Sequence, residues 1–243
     1  MIGKRPAAVL IGLAAAVLSA SAPLSGADPY LRERRSMVED QIRGRGVEQA
    51  EVLRAMEQVP RHLFAPRALQ AEAYLDQPLS LGEGRTIYQP YIVALMTELL
   101  GLDRDAKVLE VGTGSGYHAA VLSRIARQVY SIEIDPLAAQ LAIRRLGELG
   151  YRNVEVKVGD GYQGWQAWAP YDAILLSAAP PRIPQPLLDQ LRVGGKMVAP
   201  IGEFFQDLLV ITKTADGLEK RSIIPVVLSP MTGRVRDVHR QRR

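Results

Sequence analysis

The sequence predicts an α/β fold: a doubly wound, mainly parallel seven-stranded sheet with an N-terminal helical lobe and a closing β-hairpin. Three observations predict it. From Lys107 onward, the short β-rich runs KVLEV, QVYSIEI, VEVKV, YDAILLS and KMVAPI alternate with helix-like segments after Gly116, after Pro136 and around Pro186. That alternation is the pattern of βαβ units. DLLVITK and RSIIPVVL, with TADGLEK between them, then form an antiparallel pair whose turn is expected at Asp216 and Gly217. Ahead of the sheet the periodicity is helical instead.

Within that lobe, MVEDQI and then EQAEVLRAMEQV place apolar residues at Val52, Leu53, Met56 and Val59, and Pro60 stops the helix. Pro60, Pro66 and Pro78 mark an irregular stretch down to Leu81. The loop GEGRTIYQPYIVA follows, from Gly82 to Ala94. Pro90 suits a first helical turn, and Ile92, Val93, Leu95, Met96, Leu99 and Leu100 make an apolar stripe ending at Gly101. The loop therefore ends at a helix N-terminus. The division expected is a leader over 1–27, the lobe and loop over 28–104, the α/β unit over 105–233 and a basic tail over 234–243.

The chain has 243 residues, 47% of them hydrophobic, enough for one substantial core. A net charge of +4 would fit a nucleic-acid binder, but its placement argues against one. Lys4, Arg5 and the tail, with five Arg and one Asp, carry more than the whole excess, leaving 28–233 at about −2. No nucleic-acid partner is expected, and the tail reads as a solvated end. Cysteine is absent, which removes disulfides, thiolate nucleophiles and thiolate zinc sites. His62, His118 and His239 stand far apart, so no metal site is expected.

Lys4 and Arg5 precede the apolar run Ala7 to Leu18, and Ser25 and Ala27 are placed for cleavage before Asp28. This reads as a secretory signal peptide, too short for a comfortable membrane span. The alternative is a true start at Met37.

VLEVGTGSGYHAAVL ends a strand at Val111 and turns through Gly112, Gly114 and Gly116 into an apolar helix. Ligands of open α/β sheets bind at such turns, outside the carboxyl ends of the strands. A dinucleotide fingerprint would need glycine at 117, where this chain has Tyr, and a serine elbow centred on Ser115 would need glycine at 113 and 117. The spacing is E-x-G-x-G-x-G, which resembles the S-adenosylmethionine-binding turn of Rossmann-like class I methyltransferases. That resemblance implies that Glu110, Gly112, Thr113, Gly114, Ser115 and Gly116 hold the methionine end of this cofactor. Glu133 ends the second strand, where such a site places an acid on the ribose hydroxyls. Asp160 with Gly161 ends the third, where the methyltransferase pattern reads adenine. The plain alternatives are a solvated strand end for Glu133 and a turn former for Asp160.

MVEDQI, VPRHLF, AYLDQPLSLGEGRTIYQPYIVA, VLEVGTGSGY, VGDGYQGW, APYDAILLSAAP and LRVGGKMVAPIG, in this order, resemble the protein-L-isoaspartate O-methyltransferase family from about Met37 to Gly202. Beyond Gly202 the likeness loosens. The resemblance implies methyl transfer from S-adenosylmethionine to the free carboxyl of L-isoaspartyl and D-aspartyl residues in damaged proteins, without a metal, by a chain expected to be monomeric. It implies that Arg85, Thr86, Ile87, Tyr88 and Gln89 close over the cofactor and receive the substrate. The family's usual location is cytoplasmic, where the cofactor is made, in conflict with the leader.

Tyr88 departs from the family pattern T-I-S-x-P, whose serine is taken as the active-site residue. A phenol carries its hydroxyl much further from the backbone, so three readings stand: a shifted substrate donor, an aromatic wall beside backbone donors, or altered specificity. The second is favoured, because backbone N–H groups at a helix entrance survive a side-chain change. Arg85 is open to bidentate contact with a carboxylate or to solvent. Tyr162, Trp165 and Trp168 are expected to pack beside the third strand. His118 is expected on a helix surface, and GGK at 194–196 as a turn into the next strand.

Overall fold

The computed structural model describes residues 28–82 and 84–240. The expected leader lies outside them, as do the last residues of the tail. Helix α1 (Leu31–Ser36) runs on through a π-helical turn over MVEDQI (Met37–Ile42) and a short 3-10 turn (Arg43–Arg45), and Gly46 ends the run. Asp28 accepts the Tyr30 N–H at 3.0 Å and pairs with Arg34 at 2.6 Å. The Tyr30 ring lies 4.6 Å from that of His62. A start at Met37 would remove α1 and all of these contacts.

Helix α2 (Ala50–Gln58) buries Val52, Leu53 and Met56, and Pro60 follows it as expected. Two 3-10 turns (Arg61–Phe64 and Arg67–Glu72) lead to a small antiparallel hairpin, β1 (Leu79–Gly82) with β2 (Arg85–Ile87). Helix α3 (Pro90–Leu100) has proline in its first turn and closes on left-handed Gly101.

The main sheet comprises β3 (Lys107–Val111), β4 (Gln128–Glu133), β5 (Val154–Val158), β6 (Tyr171–Leu176), β7 (Leu191–Ile201), β8 (Gln206–Thr214) and β9 (Gly217–Val226). Its order is β5-β4-β3-β6-β7-β8-β9, parallel through β7 and antiparallel at β7–β8 and β8–β9. The closing pair is therefore as expected, but its turn is one residue earlier. Thr214 pairs with Gly217, so Ala215 and Asp216 form the loop and most of TADGLEK is strand. GGK is also corrected: Leu191 pairs with Tyr171 and Lys196 with Ala173, so the extra residues bulge within β7 instead of preceding it.

Helices α4 (Tyr117–Ser123), α5 (Pro136–Glu148) and α6 (Gln185–Gln190) cover the sheet. Central strands bury both faces, so apolar neighbours alternate between two cores. Val108, Ala173 and Val198 belong to one, together with Met37, Val52 and Met56 of the lobe. Leu109, Ile174 and Met197 belong to the other, with Leu187 and Leu188 of α6. The lobe is thus continuous with the sheet's core. The stretch expected as a solvated tail begins as helix α7 (Arg234–Arg240), whose Val235 is buried in the second core. Tyr162 and Trp165 pack on that core, and Trp168 stacks on Tyr130 with ring centroids 4.9 Å apart, as the packing expectation had it.

One carboxylate joins two helices of the lobe. Glu98 of α3 accepts the N–H groups of Glu48 (2.8 Å) and Gln49 (2.7 Å), capping α2, which has no side-chain cap of its own. Glu98→Ala should cost about 1–3 kcal/mol. Chemical denaturation measures the loss, and faster hydrogen exchange should centre on the Glu48 and Gln49 amides at the entrance to α2.

Candidate active site

The carboxyl ends of β3, β4 and β6 border a cavity of about 320 Å³ that residues 84–88 close on the lobe side. That volume is at the lower end of the range of about 300–1,000 Å³ found for small-molecule pockets.

The glycine turn forms its floor. Gly112, Gly114 and Gly116 have φ of 99°, 53° and 85°, a region that other residues adopt at a cost. Gly112 N–H donates to Ile132 O at 2.8 Å and Gly114 N–H to Glu133 Oε2 at 2.8 Å, while Glu133 Oε1 accepts from Asp135 N–H at 3.0 Å. A Cβ on Gly114 would meet no protein atom within 4 Å, so the space beside it belongs to the cavity. A Cβ on Gly116 would instead press on Leu146 at 3.3 Å, so this glycine serves packing and does not line the cavity.

Glu110 lies beneath this floor and does not line the cavity. It is fully buried; Ser131 Oγ donates to its Oε2 at 2.6 Å, and its Oε1 has no partner. Thr113 Oγ1, 2.6 Å from Ser131 Oγ, extends the chain of hydroxyls to the cavity wall. Burial, reinforced by the charge of Glu133, pushes the Glu110 carboxyl up to about 8 although the Ser131 bond opposes the rise.

Arg85, Thr86, Ile87, Tyr88, Gly112, Thr113, Gly114, Ser115, Glu133 and Gly161 all line the cavity. Gln89 does not: its amide donates to Asp76 O at 3.1 Å, away from the site. Asp160 does not either; its two oxygens accept the N–H groups of Tyr162 (2.9 Å) and Arg234 (2.7 Å), and its neighbour Gly161 lines the cavity. Its turn-forming alternative describes what the side chain does here. Gly161 takes the place beside the cavity, where a Cβ would fall 2.3 Å from Val111 Cγ1.

Tyr88 Oη is committed twice. It donates to Ser177 O at 2.8 Å and accepts from Ser229 N–H at 3.1 Å, and Ser229 Oγ donates to Gly84 O at 3.2 Å. The loop is thereby fastened to the segments after β6 and β9. With its one proton used, the phenol is a tether, and the residue lines the cavity. Arg85 pairs with Asp135 at 3.7 Å, linking the loop to the start of α5.

His118 corrects the expectation of a helix-surface residue. It is buried and lines the cavity. The Thr97 hydroxyl donates to Val93 O at 2.7 Å, so its oxygen accepts from His118 Nε2 at 3.0 Å. The proton therefore resides on Nε2, and Nδ1 keeps a bare lone pair without a partner. Burial pushes the imidazole down to about 3, and it stays neutral.

Ser177, Ala178 and Ser229 to Thr232 also line the cavity. Ser177 and Ala178 were visible as the end of APYDAILLSAAP. The segment 229–232 had no signal, since it is irregular and lies where the family likeness loosens. Among the described residues no group of three or more His, Asp or Glu is placed to hold a metal ion.

Residues 32–236 match the family model for protein-L-isoaspartate(D-aspartate) O-methyltransferase. A protein-L-isoaspartate O-methyltransferase from Synechococcus sp. (strain JA-2-3B'a(2-13)) is 54% identical over 218 residues, 86% of this chain and 89% of that protein. A protein-L-isoaspartate O-methyltransferase 2 from Shewanella sediminis is 49% identical over 88% of each chain. A solved protein-L-isoaspartate O-methyltransferase superposes with a TM-score of 0.77 at 29% identity, over 86% of this chain and 69% of that one. A Plasmodium falciparum structure with S-adenosyl-L-homocysteine bound shares the fold, with a TM-score of 0.71 at 23% identity over 82% and 98%. With the cavity at the carboxyl edge and a match spanning nearly all of the described chain, this protein belongs to the protein-L-isoaspartate(D-aspartate) O-methyltransferase family.

Proposed function

We propose that the chain transfers a methyl group from S-adenosylmethionine to the free carboxyl of L-isoaspartyl and D-aspartyl residues in damaged proteins, initiating their repair through a succinimide. The observation that carries this reading is the cavity itself. On one side stands the glycine turn with Glu133, and on the other the loop that Tyr88 ties to Ser177 and Ser229.

The residues present fit the cofactor. The open space beside Gly114 accepts a ligand, Glu133 keeps lone pairs for hydroxyl donors, and Glu110 has an orphaned buried oxygen below the floor. S-adenosylmethionine supplies a methyl group on a sulfonium when bound. Gly112 to Ser115 and Glu133 would hold it. The acceptor carboxylate has an intrinsic pKa of about 4 and is ionised at neutral pH, so no residue has to remove a proton. What remains for the protein is alignment and exclusion of water, where orientation contributes up to about 7–11 kcal/mol in favourable cases. Backbone N–H groups of the loop approaching α3 are the donors proposed for the acceptor, with Tyr88 holding that backbone in place. The chain is further proposed to be exported, with maturation at Asp28: the contacts of Asp28 and α1 support a start ahead of Met37. N-terminal sequencing tests this, and a start at Met37 would reject it.

Methyl transfer to an isoaspartyl peptide and to its normal aspartyl twin is the primary test. Transfer to the first alone is expected; equal rates would move the protein to another carboxylate acceptor, and cofactor binding without ester formation would make it a binding protein. Tyr88→Phe should retain turnover within about tenfold at saturation, because backbone donors remain while tethering bonds worth about 0.5–1.5 kcal/mol each are lost. A loss beyond a hundredfold with an unchanged fold would show that the phenol handles the substrate directly.

Glu110 makes a pH prediction. Its folded pKa is raised from 4.5 to about 8, so the folded state binds its proton more tightly. That contribution to stability is present in full below pH 4.5 and is lost as pH rises towards 8. Melting of the cofactor-free wild type should therefore fall, relative to Glu110→Gln, between pH 5 and pH 8. Parallel profiles would refute a buried neutral Glu110.

A further inference from the structure

A cavity of about 320 Å³ that is to hold a cofactor leaves space for no more than the acceptor side chain, yet the methyl acceptor is a residue within a polypeptide, so the flanking residues of that polypeptide must lie outside it. The sheet's polarity shows where. β6, β7 and β9 point the same way, so the segments after their carboxyl ends share one edge of the molecule. Ser177 follows β6 and lines the cavity; Gly202 to Phe205 follow β7; Val227 to Ser229 follow β9 and return to the cavity at Ser229.

This edge is built from bonded segments. Gly202 N–H donates to Pro180 O at 3.1 Å, and Ala179, next to the cavity residue Ala178, exchanges backbone bonds with Ser229 and Met231 at 2.8 and 2.7 Å. Gln206, in the following strand, grips Leu228 through both amide atoms at 3.0 and 2.8 Å. The turn between them has to begin with glycine, because a Cβ at Gly202 (φ 140°) would fall 1.8 Å from Phe205 O. Against these anchored neighbours Phe204, Phe205 and Val227 are 85%, 94% and 94% exposed. Exposed apolar side chains scattered singly need no explanation, but here the three most exposed large apolar residues among those described share the edge that carries the cavity mouth.

We infer that Phe204, Phe205 and Val227 form an apolar subsite for a side chain flanking the isoaspartyl residue of the acceptor polypeptide. The inference rests on the proposed activity and deepens it. A chain entering past Tyr88 and Ser229 meets this patch next as it continues across β7 to β9. Damaged proteins expose apolar side chains that folded ones bury, so the patch favours unfolded acceptors over intact ones.

A panel of short isoaspartyl peptides tests it, with serine at all flanking positions in the parent and one leucine moved stepwise along both flanks. Leucine at one or two positions should lower the wild-type KM about tenfold, the scale of burying one such side chain. The F204S/F205S variant and, separately, Val227→Ser should lose that preference. Val193→Ser, an equally plain apolar surface change near the opposite end of β7, should keep it. No preference at any position in the wild type, or a preference that survives in F204S/F205S, overturns the subsite while leaving the activity standing. No methyl ester on any isoaspartyl peptide, the serine parent included, overturns the activity and the subsite with it. A dimer that sedimentation finds in the wild type and not in F204S/F205S would assign the patch to a second copy and also overturn the inference.

Discussion

The bond from Gly114 N–H to the Glu133 carboxylate is the contact on which the site depends. It joins the turn after β3 to the end of β4 and holds the turn open toward the cavity. The turn itself exists only because three alternate residues can adopt positive φ without a Cβ. Their roles nevertheless differ. Gly112 approaches the Ser177 backbone, Gly114 leaves empty space for a ligand, and Gly116 makes room for Leu146 of α5. A single spacing thus serves close approach, binding volume and helix packing, and changing any one of them disturbs the others through a backbone shared by all.

The acceptor side is organised differently. No strand end of the parallel sheet supplies it; a loop from the lobe does, and a loop has to be fixed by contacts. Tyr88 fixes it with one oxygen that donates to Ser177 O and accepts from Ser229 N–H. A serine at this position would be too short to reach both partners from the same backbone. At this position, where the family pattern has serine, the side chain is a tether to two distant segments.

The alternation of strands and helices, the closing pair and the acids at strand ends were legible because periodicity and glycine spacing are local properties, whereas the order of strands across the sheet was not. Glu133 was readable for that reason: a strand end in a parallel sheet has a fixed place relative to the next turn. Asp160 shows the limit, since local sequence cannot show that the backbone N–H of Arg234, 74 residues later, bonds to one of its oxygens. His118 shows it again. A polar residue at the start of a helix reads as solvated, and the packing that buries it and brings Thr97 of α3 to accept from its Nε2 is not local. Residues 229–232 were illegible for a related reason, because a wall made of irregular backbone has no period to detect.

Charge completes the picture. An anionic acceptor must meet a cationic sulfonium, and any mobile charge nearby would compete for either. The protein leaves few. His118 is held neutral by burial, Glu110 is held largely protonated at neutral pH, and Arg85 faces Asp135. Glu133 is already anchored to two N–H groups. An acid with an elevated pKa in this position adds little charge beneath the floor of the cavity at neutral pH. The cavity floor is thus built from a neutral acid below and an anchored carboxylate beside it, and the charge it presents is that of Glu133.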